Sequence, residues 1–114
     1  MGDEQISGDI AMLRVARQAG ADESILELAG EVDMSNAQQL DEALATALEG
    51  TDARLVVDLA GLEFIDSTGL RSLVRFHQRD QTETEIVWRN ARGQVAEVLE
   101  ITGLGSVLEL GDDA

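Results

Sequence analysis

The feature that most limits what this chain can fold into is a short apolar run, Leu55-Val56-Val57, set between stretches whose apolar residues recur with helical period. A continuous apolar run of that kind reads as a strand covered on both faces. Upstream, Ser35 opens a helix and pairs with Gln38 as a capping box, each side chain satisfying the other's orphan backbone N–H. Ala37, Leu40, Leu44, Ala47 and Leu48 follow the 3.6-residue period, and Gly50 stops the helix. Residues 24–29 form the strand before it, with Ile25, Leu26 and Leu28 apolar, ending at Gly30. Strand, helix, strand is a βαβ unit with a right-handed crossover. A first strand near 11–17 joins it through a hairpin loop over 18–23, and is therefore antiparallel.

The alternation continues. Phe64-Ile65 leads into Asp66-Ser67-Thr68-Gly69, and a helix runs from there to about Arg79, with Leu70, Leu73, Val74 and His77 on its apolar face. A strand over 84–88 places Ile86 and Trp88 on one side. A helix over 93–102 aligns Val95, Val98, Leu99 and Thr102, and Gly103 with Leu104 supplies a glycine stop with its hydrophobic contact. Val107, Leu108 and Leu110 form a last short element. The expected fold class is α/β: a single domain over 11–110, with acidic tails at 1–10 and 111–114. Its central β-sheet is mixed, with an antiparallel edge pair and three to four helices.

Composition narrows the function. With 114 residues the chain is one domain in size, and 44% hydrophobic residues suffice for one core. Acids outnumber bases 23 to 8, every base is Arg, and the net charge is −15. A pI near 4.1 argues against binding nucleic acid or an anionic membrane, both of which need a positive face. The start of the chain is acidic rather than basic and apolar, and no apolar run nears the roughly 20 residues of a membrane helix. A cytoplasmic location is expected.

Catalytic sets are hard to assemble. The sequence has no Cys and one His, which removes thiol chemistry, Cys-ligated zinc and His relays. That histidine, His77, lies nearly three turns along the same helix from Ser67, about 15 Å away at the helical rise, so the two cannot pair as nucleophile and base. His77 reads as a packed or boundary residue. Gly61 and Gly69 lack the spacing of a phosphate loop, and a P-loop lysine is missing. Asp58 ends a buried strand as a receiver-domain phosphoacceptor does, but the accompanying acidic pair and Lys are not found, so Asp58 is read as structural. No enzyme activity, cofactor or metal is expected.

The segment over 56–74 is the most informative. It sets hydroxyls at the start of a helix that follows a buried strand, where orphan N–H groups and the helix dipole favour negative charge. A phosphate on Ser67 would add about −1.5 to −2 charges at neutral pH, and the helix end would tolerate it. Its effect would then fall on a docked partner. The plain alternative is that Asp66 or Ser67 serves only as an N-cap. Gly69 is expected to leave the backbone open to close approach.

Asp66-Ser67-Thr68-Gly69-Leu70, preceded by Asp58-Leu59 and Phe64-Ile65, resembles the signature of STAS-domain anti-sigma factor antagonists. Leu28-Ala29-Gly30-Glu31-Val32-Asp33 is similar to that family's Gly-Glu-(apolar)-Asp segment, and Val98-Leu99-Glu100-Ile101-Thr102-Gly103-Leu104 to its C-terminal helix end. The resemblance implies a STAS-like fold and a binding switch. The unmodified antagonist binds an anti-sigma factor, usually a serine kinase, and frees a sigma factor. The kinase phosphorylates the motif's Ser, the complex dissociates, and a separate serine phosphatase resets it. By position Ser67 is the phosphoacceptor and Thr68 a second acceptor. Asp33, Met34, Ser35, Asp66, Thr68, Gly69 and Arg71 would flank the docking surface. Arg71 departs from the small residue common there; it would pair with a phosphate or an acidic partner, or belong with Arg75 and Arg79 to a solvated helix face. A monomer is expected. The alternative function is a constitutive STAS scaffold or adaptor in a signalling or transport complex, without the switch.

Overall fold

A computed structural model describes residues 12–20, 22–50, 53–79, 84–102 and 108–109. The elements are β1 (Leu13–Ala19), β2 (Ser24–Val32), α1 (Ala37–Glu49), β3 (Arg54–Ile65), α2 (Ser67–Arg79), β4 (Glu85–Arg89), α3 (Gly93–Ile101) and β5 (Leu108–Glu109). The strands form one five-stranded sheet in chain order, β1 to β5. β1 is antiparallel to β2, and every other neighbouring pair is parallel. The mixed sheet with an antiparallel edge pair is the architecture the sequence implies.

Each crossover advances one strand in the same direction, so right-handed connections lay the helices on one face. Alternation along β2 turns Leu26, Leu28 and Val32 to that face. They join Leu55, Val57 and Leu59 of β3, Trp88 of β4, Leu40 and Leu44 of α1, Leu73 and Phe76 of α2, and Val95 and Leu99 of α3 in one buried cluster. Val56 points the opposite way, beside Ile25 and Val87, and is also fully buried. This stretch of β3 is thus shielded on both sides, as its unbroken apolar run suggests.

β3 is longer than the sequence reading implies. Leu55-Val56-Val57 and Phe64-Ile65 belong to one strand, and Asp58 sits within it rather than at its end. The reason is a pair of bulges. Between the paired ends Ser24–Leu55 and Val32–Ile65, β3 uses two more residues than β2, with register shifts after Glu27 and after Gly30. The first bulge flips the inward residues from Leu59 to Leu62, and the second restores the original parity at Ile65. Asp58 Oδ1 accepts from Ala60 N at 3.0 Å and from Asn90 Nδ2 at 3.1 Å, pinning the first bulge. That is a structural role, as expected of Asp58.

Other boundaries move for local reasons. β1 starts later than 11–17, and β2 continues past Gly30 to Val32. Gly30 has φ +103°, and a Cβ there would run into the Met12 carbonyl oxygen, which accepts from Glu31 N at 2.8 Å. α1 begins at Ala37, not Ser35, and the Ser35–Gln38 capping box does not form. Asp33 Oδ1 has captured both Ser35 N at 2.8 Å and Ser35 Oγ at 2.6 Å, while Gln38 Nε2 lies 3.4 Å from Glu42 Oε2. His77 is half-buried and its Nδ1 accepts from Trp88 Nε1 at 3.2 Å, as a packed histidine would. Residues 1–11, the 111–114 tail, the Gly103-Leu104 stop, Val107 and Leu110 lie outside the described residues.

Leu44 is fully buried between α1 and the sheet. Leu44→Ala should cost about 2–5 kcal/mol of stability by cavity formation, read as a lower midpoint with unchanged slope in urea unfolding.

Candidate functional site

β2 and β3 end side by side, and the chain leaves each by a turn into a helix. Asp66 N donates to Val32 O at 3.0 Å, which carries the pairing one residue past the end of β3. Asp66 then caps α2: its Oδ1 accepts from Gly69 N at 2.9 Å, and its carbonyl accepts from Leu70 N at 2.8 Å. Asp66, not Ser67, is therefore the N-cap. Ser67 is the first helical residue, exposed, with its hydroxyl outside the capping arrangement. Thr68 is half-buried.

Gly69 is buried, which corrects the expectation that it leaves the backbone open to a partner. A Cβ at Gly69 would sit 2.6 Å from Val32 Cγ1 and 2.7 Å from Ile65 Cγ1. The missing side chain lets the first turn of α2 close down on the two strand ends.

The neighbouring turn is held by its own polar residues. Asp33 organises Ser35 through the two bonds described above, and Asn36 ties the loop shut. Asn36 Oδ1 accepts from Asp33 N and Asn36 Nδ2 donates to Glu31 O, both at 3.0 Å. This leaves Met34 at the tip, 78% exposed. The two hydrogen bonds from Ser35, side chain first and backbone second, hold the Asp33 carboxyl below its ordinary value. The Val32–Asp66 bond thus brings the Asp33-Met34-Ser35 turn alongside Asp66-Ser67-Thr68. Arg71 is exposed one turn along α2 from Ser67. Arg75 is not simply solvated: it pairs with Asp41 of α1 at 3.5 Å.

Asn36 and Gln94 carry no signal in the sequence, and Phe64 stands out there only as half of the apolar Phe64-Ile65 pair. Asn36 closes the Asp33 turn, and Gln94 bonds the backbone of Ile65. Phe64 is 42% exposed beside Glu31, displaced from the core by the second bulge. A signal exists for Phe64, since Leu62 and Ile65 stand three apart, an odd spacing that puts them on opposite faces of a regular strand.

A crevice of about 110 Å³ between α1 and α2 is lined by Asp41, Leu44, Ser72, Arg75 and Phe76, and an open one of about 290 Å³ is lined by Met12, Arg14, Gly30, Glu31 and Glu63. Among the described residues, no three His, Asp or Glu side chains gather as a metal site would require. Among them, too, no helix is long and apolar enough to cross a membrane.

The chain as a whole has counterparts among known proteins. The family model described as Mlab, STAS domain, matches residues 14–110. The putative anti-sigma factor antagonist BtrV of Bordetella bronchiseptica is 36% identical over 86 residues, covering 75% of this chain and 74% of the relative. The anti-sigma-B factor antagonist of Listeria monocytogenes is 32% identical over 84 residues, covering 73% and 74%. The crystal structure of an anti-sigma factor antagonist from Mycobacterium paratuberculosis superimposes with a TM-score of 0.74, at 28% identity and over 90% of each chain. The chain belongs to the STAS domain family of anti-sigma factor antagonists.

Two measurements check the site's construction. Gly69→Ala should destabilise the protein by about 1–3 kcal/mol through overpacking against Val32 and Ile65, read by thermal unfolding. In a carboxyl NMR titration, Asp33 should titrate below the ordinary aspartate range, and Ser35→Ala should move it up. The sign follows from linkage: this stabilisation is present above the ordinary aspartate pKa and is lost as pH falls through the lowered one.

Proposed function

We propose that this protein is a phosphorylation-controlled binding switch that acts on an anti-sigma factor, with Ser67 as phosphoacceptor. In its unmodified form it docks on an anti-sigma serine kinase and so releases a sigma factor. Phosphorylation of Ser67 ends the contact, and a serine phosphatase restores it. The observation that carries this reading is the division of labour at the helix start. Asp66 does the capping, so the exposed Ser67 hydroxyl can be modified without dismantling the helix.

Asp33, Met34, Ser35, Asp66, Thr68 and Arg71 form the surrounding contact surface, with exposed Phe64 added on the β3 side. Gly69 contributes from beneath by bringing α2 close to the strands. Thr68, half-buried, is the weaker acceptor. A phosphate placed on Ser67 sits at the positive end of α2, next in the chain to the Asp66 cap. The added charge and bulk therefore act mainly against whatever covers the surface.

Calorimetric titration with the anti-sigma kinase recovered by Ser67→Ala pull-down tests the switch. Ser67→Glu should weaken binding by more than about 1.4 kcal/mol, a factor of ten, while Ser67→Ala binds persistently. Equal affinity of both variants and the native chain would reject the switch in favour of a constitutive adaptor. The thermal unfolding of Ser67→Glu should stay within about 1 kcal/mol of the native protein, since the helix N-terminus accepts negative charge.

A further inference from the structure

β4 pairs with β3 only from Arg54 to Asp58, yet β3 continues to Ile65. In a parallel sheet the N–H and C=O of one residue point to the same side, so a strand that outruns its neighbour leaves both unmatched on that edge. Here the segment after β4 supplies partners from its side chains. Arg92 donates from its guanidinium to Ala60 O at 2.9 Å. At the far end, Gln94 Oε1 accepts from Ile65 N at 3.0 Å and Gln94 Nε2 donates to Ile65 O at 2.8 Å. A primary amide carries a donor and an acceptor side by side, as a neighbouring strand would. Ile65 is thus held on one edge by its register with Val32 and on the other by Gln94. It is two residues before Ser67.

We propose that Gln94 is a positioning residue for Ser67: its amide stands in for the missing strand at Ile65 and fixes the turn that presents the hydroxyl. This rests on Ser67 being the phosphoacceptor, and it extends the site to α3, which touches neither the helix start nor the Asp33 turn through any bond described above. With Gln94 in place, the turn from Ile65 to Ser67 has one geometry and the hydroxyl one approach. Without it, the last residue of β3 is tied on one side only.

The test compares Gln94→Met, which keeps the reach of the side chain and loses both bonds, with Gln94→Glu, which keeps the acceptor for Ile65 N. Amide NMR on the full chain is the first readout. In Gln94→Met, hydrogen exchange at Ile65 should speed up by at least about tenfold, and the Asp66, Ser67 and Thr68 amide resonances should move while those of α1 stay. Gln94→Glu should recover part of the Ile65 protection. The second readout is phosphorylation by the recovered kinase: Gln94→Met should lower kcat about tenfold or more with KM unchanged, as for a displaced but still docked acceptor. Unmoved Ser67 and Thr68 resonances in a folded Gln94→Met protein would overturn the proposal, as would a loss confined to KM. If Gln94→Met does not fold, Gln94→Ala, which also loses both bonds, carries the test: moved resonances at Ser67 support the proposal and unmoved ones reject it. The amide readout needs no kinase, so failure of the switch and failure of the positioning role are told apart.

Discussion

The parallel pairing of β2 with β3 is the constraint on which the rest of this structure depends. The two strands start in register at Ser24 and Leu55 and finish in register at Val32 and Ile65, although β3 contains two more residues on the way. A single extra residue would have turned Ile65 to the outer face and rotated everything after it. The second compensates the first. The cost is local, since Phe64 is put outside the core and Asp58 must brace the first irregularity. The result is that two chain segments leave the sheet at the same level, one bond apart, and each begins a helix.

That shared exit decides the character of the site. A helix following a strand needs a cap, and Asp66 meets the need with a carboxylate that also suits the dipole. The adjacent serine is then surplus to folding. The Asp33 turn is built in the same economical way, with one carboxylate oxygen collecting both groups of Ser35 and Asn36 closing the loop. Small polar side chains thus do the structural work at both turns. The groups left outward, the Ser67 hydroxyl and the Met34 side chain, do none of it.

Much of this was legible in the sequence because long-period signals are robust. The apolar spacing of α2 placed it from the motif to Arg79, and the antiparallel edge pair followed from the hairpin loop. The family likeness rested on motifs in the right order rather than on composition. What escaped was competition for the same group. Ser35 has the right neighbour for a capping box, but Asp33 is nearer and charged, so it wins both hydrogen bonds and the helix starts later. The bulges escaped because alternation is normally read from one end of a strand, and β3 changes parity twice. Gln94 was invisible for a different reason. Its partner lies 29 positions earlier and is a backbone group, about which a side-chain pattern says nothing. Gly69 was noticed for its openness, whereas its role depends on two branched side chains approaching from below.

The contact between Trp88 and His77 has a practical consequence. The chain has one Trp and no Tyr, and that indole is fully buried with its N–H given to the imidazole of α2 and its ring nearly perpendicular to that of Phe76. Its emission therefore has a single origin, in one defined surrounding, against the far end of the helix that begins with Ser67. Any event that tilts or slides α2 over β4 is visible as a change of colour or intensity, without a label and without altering a residue.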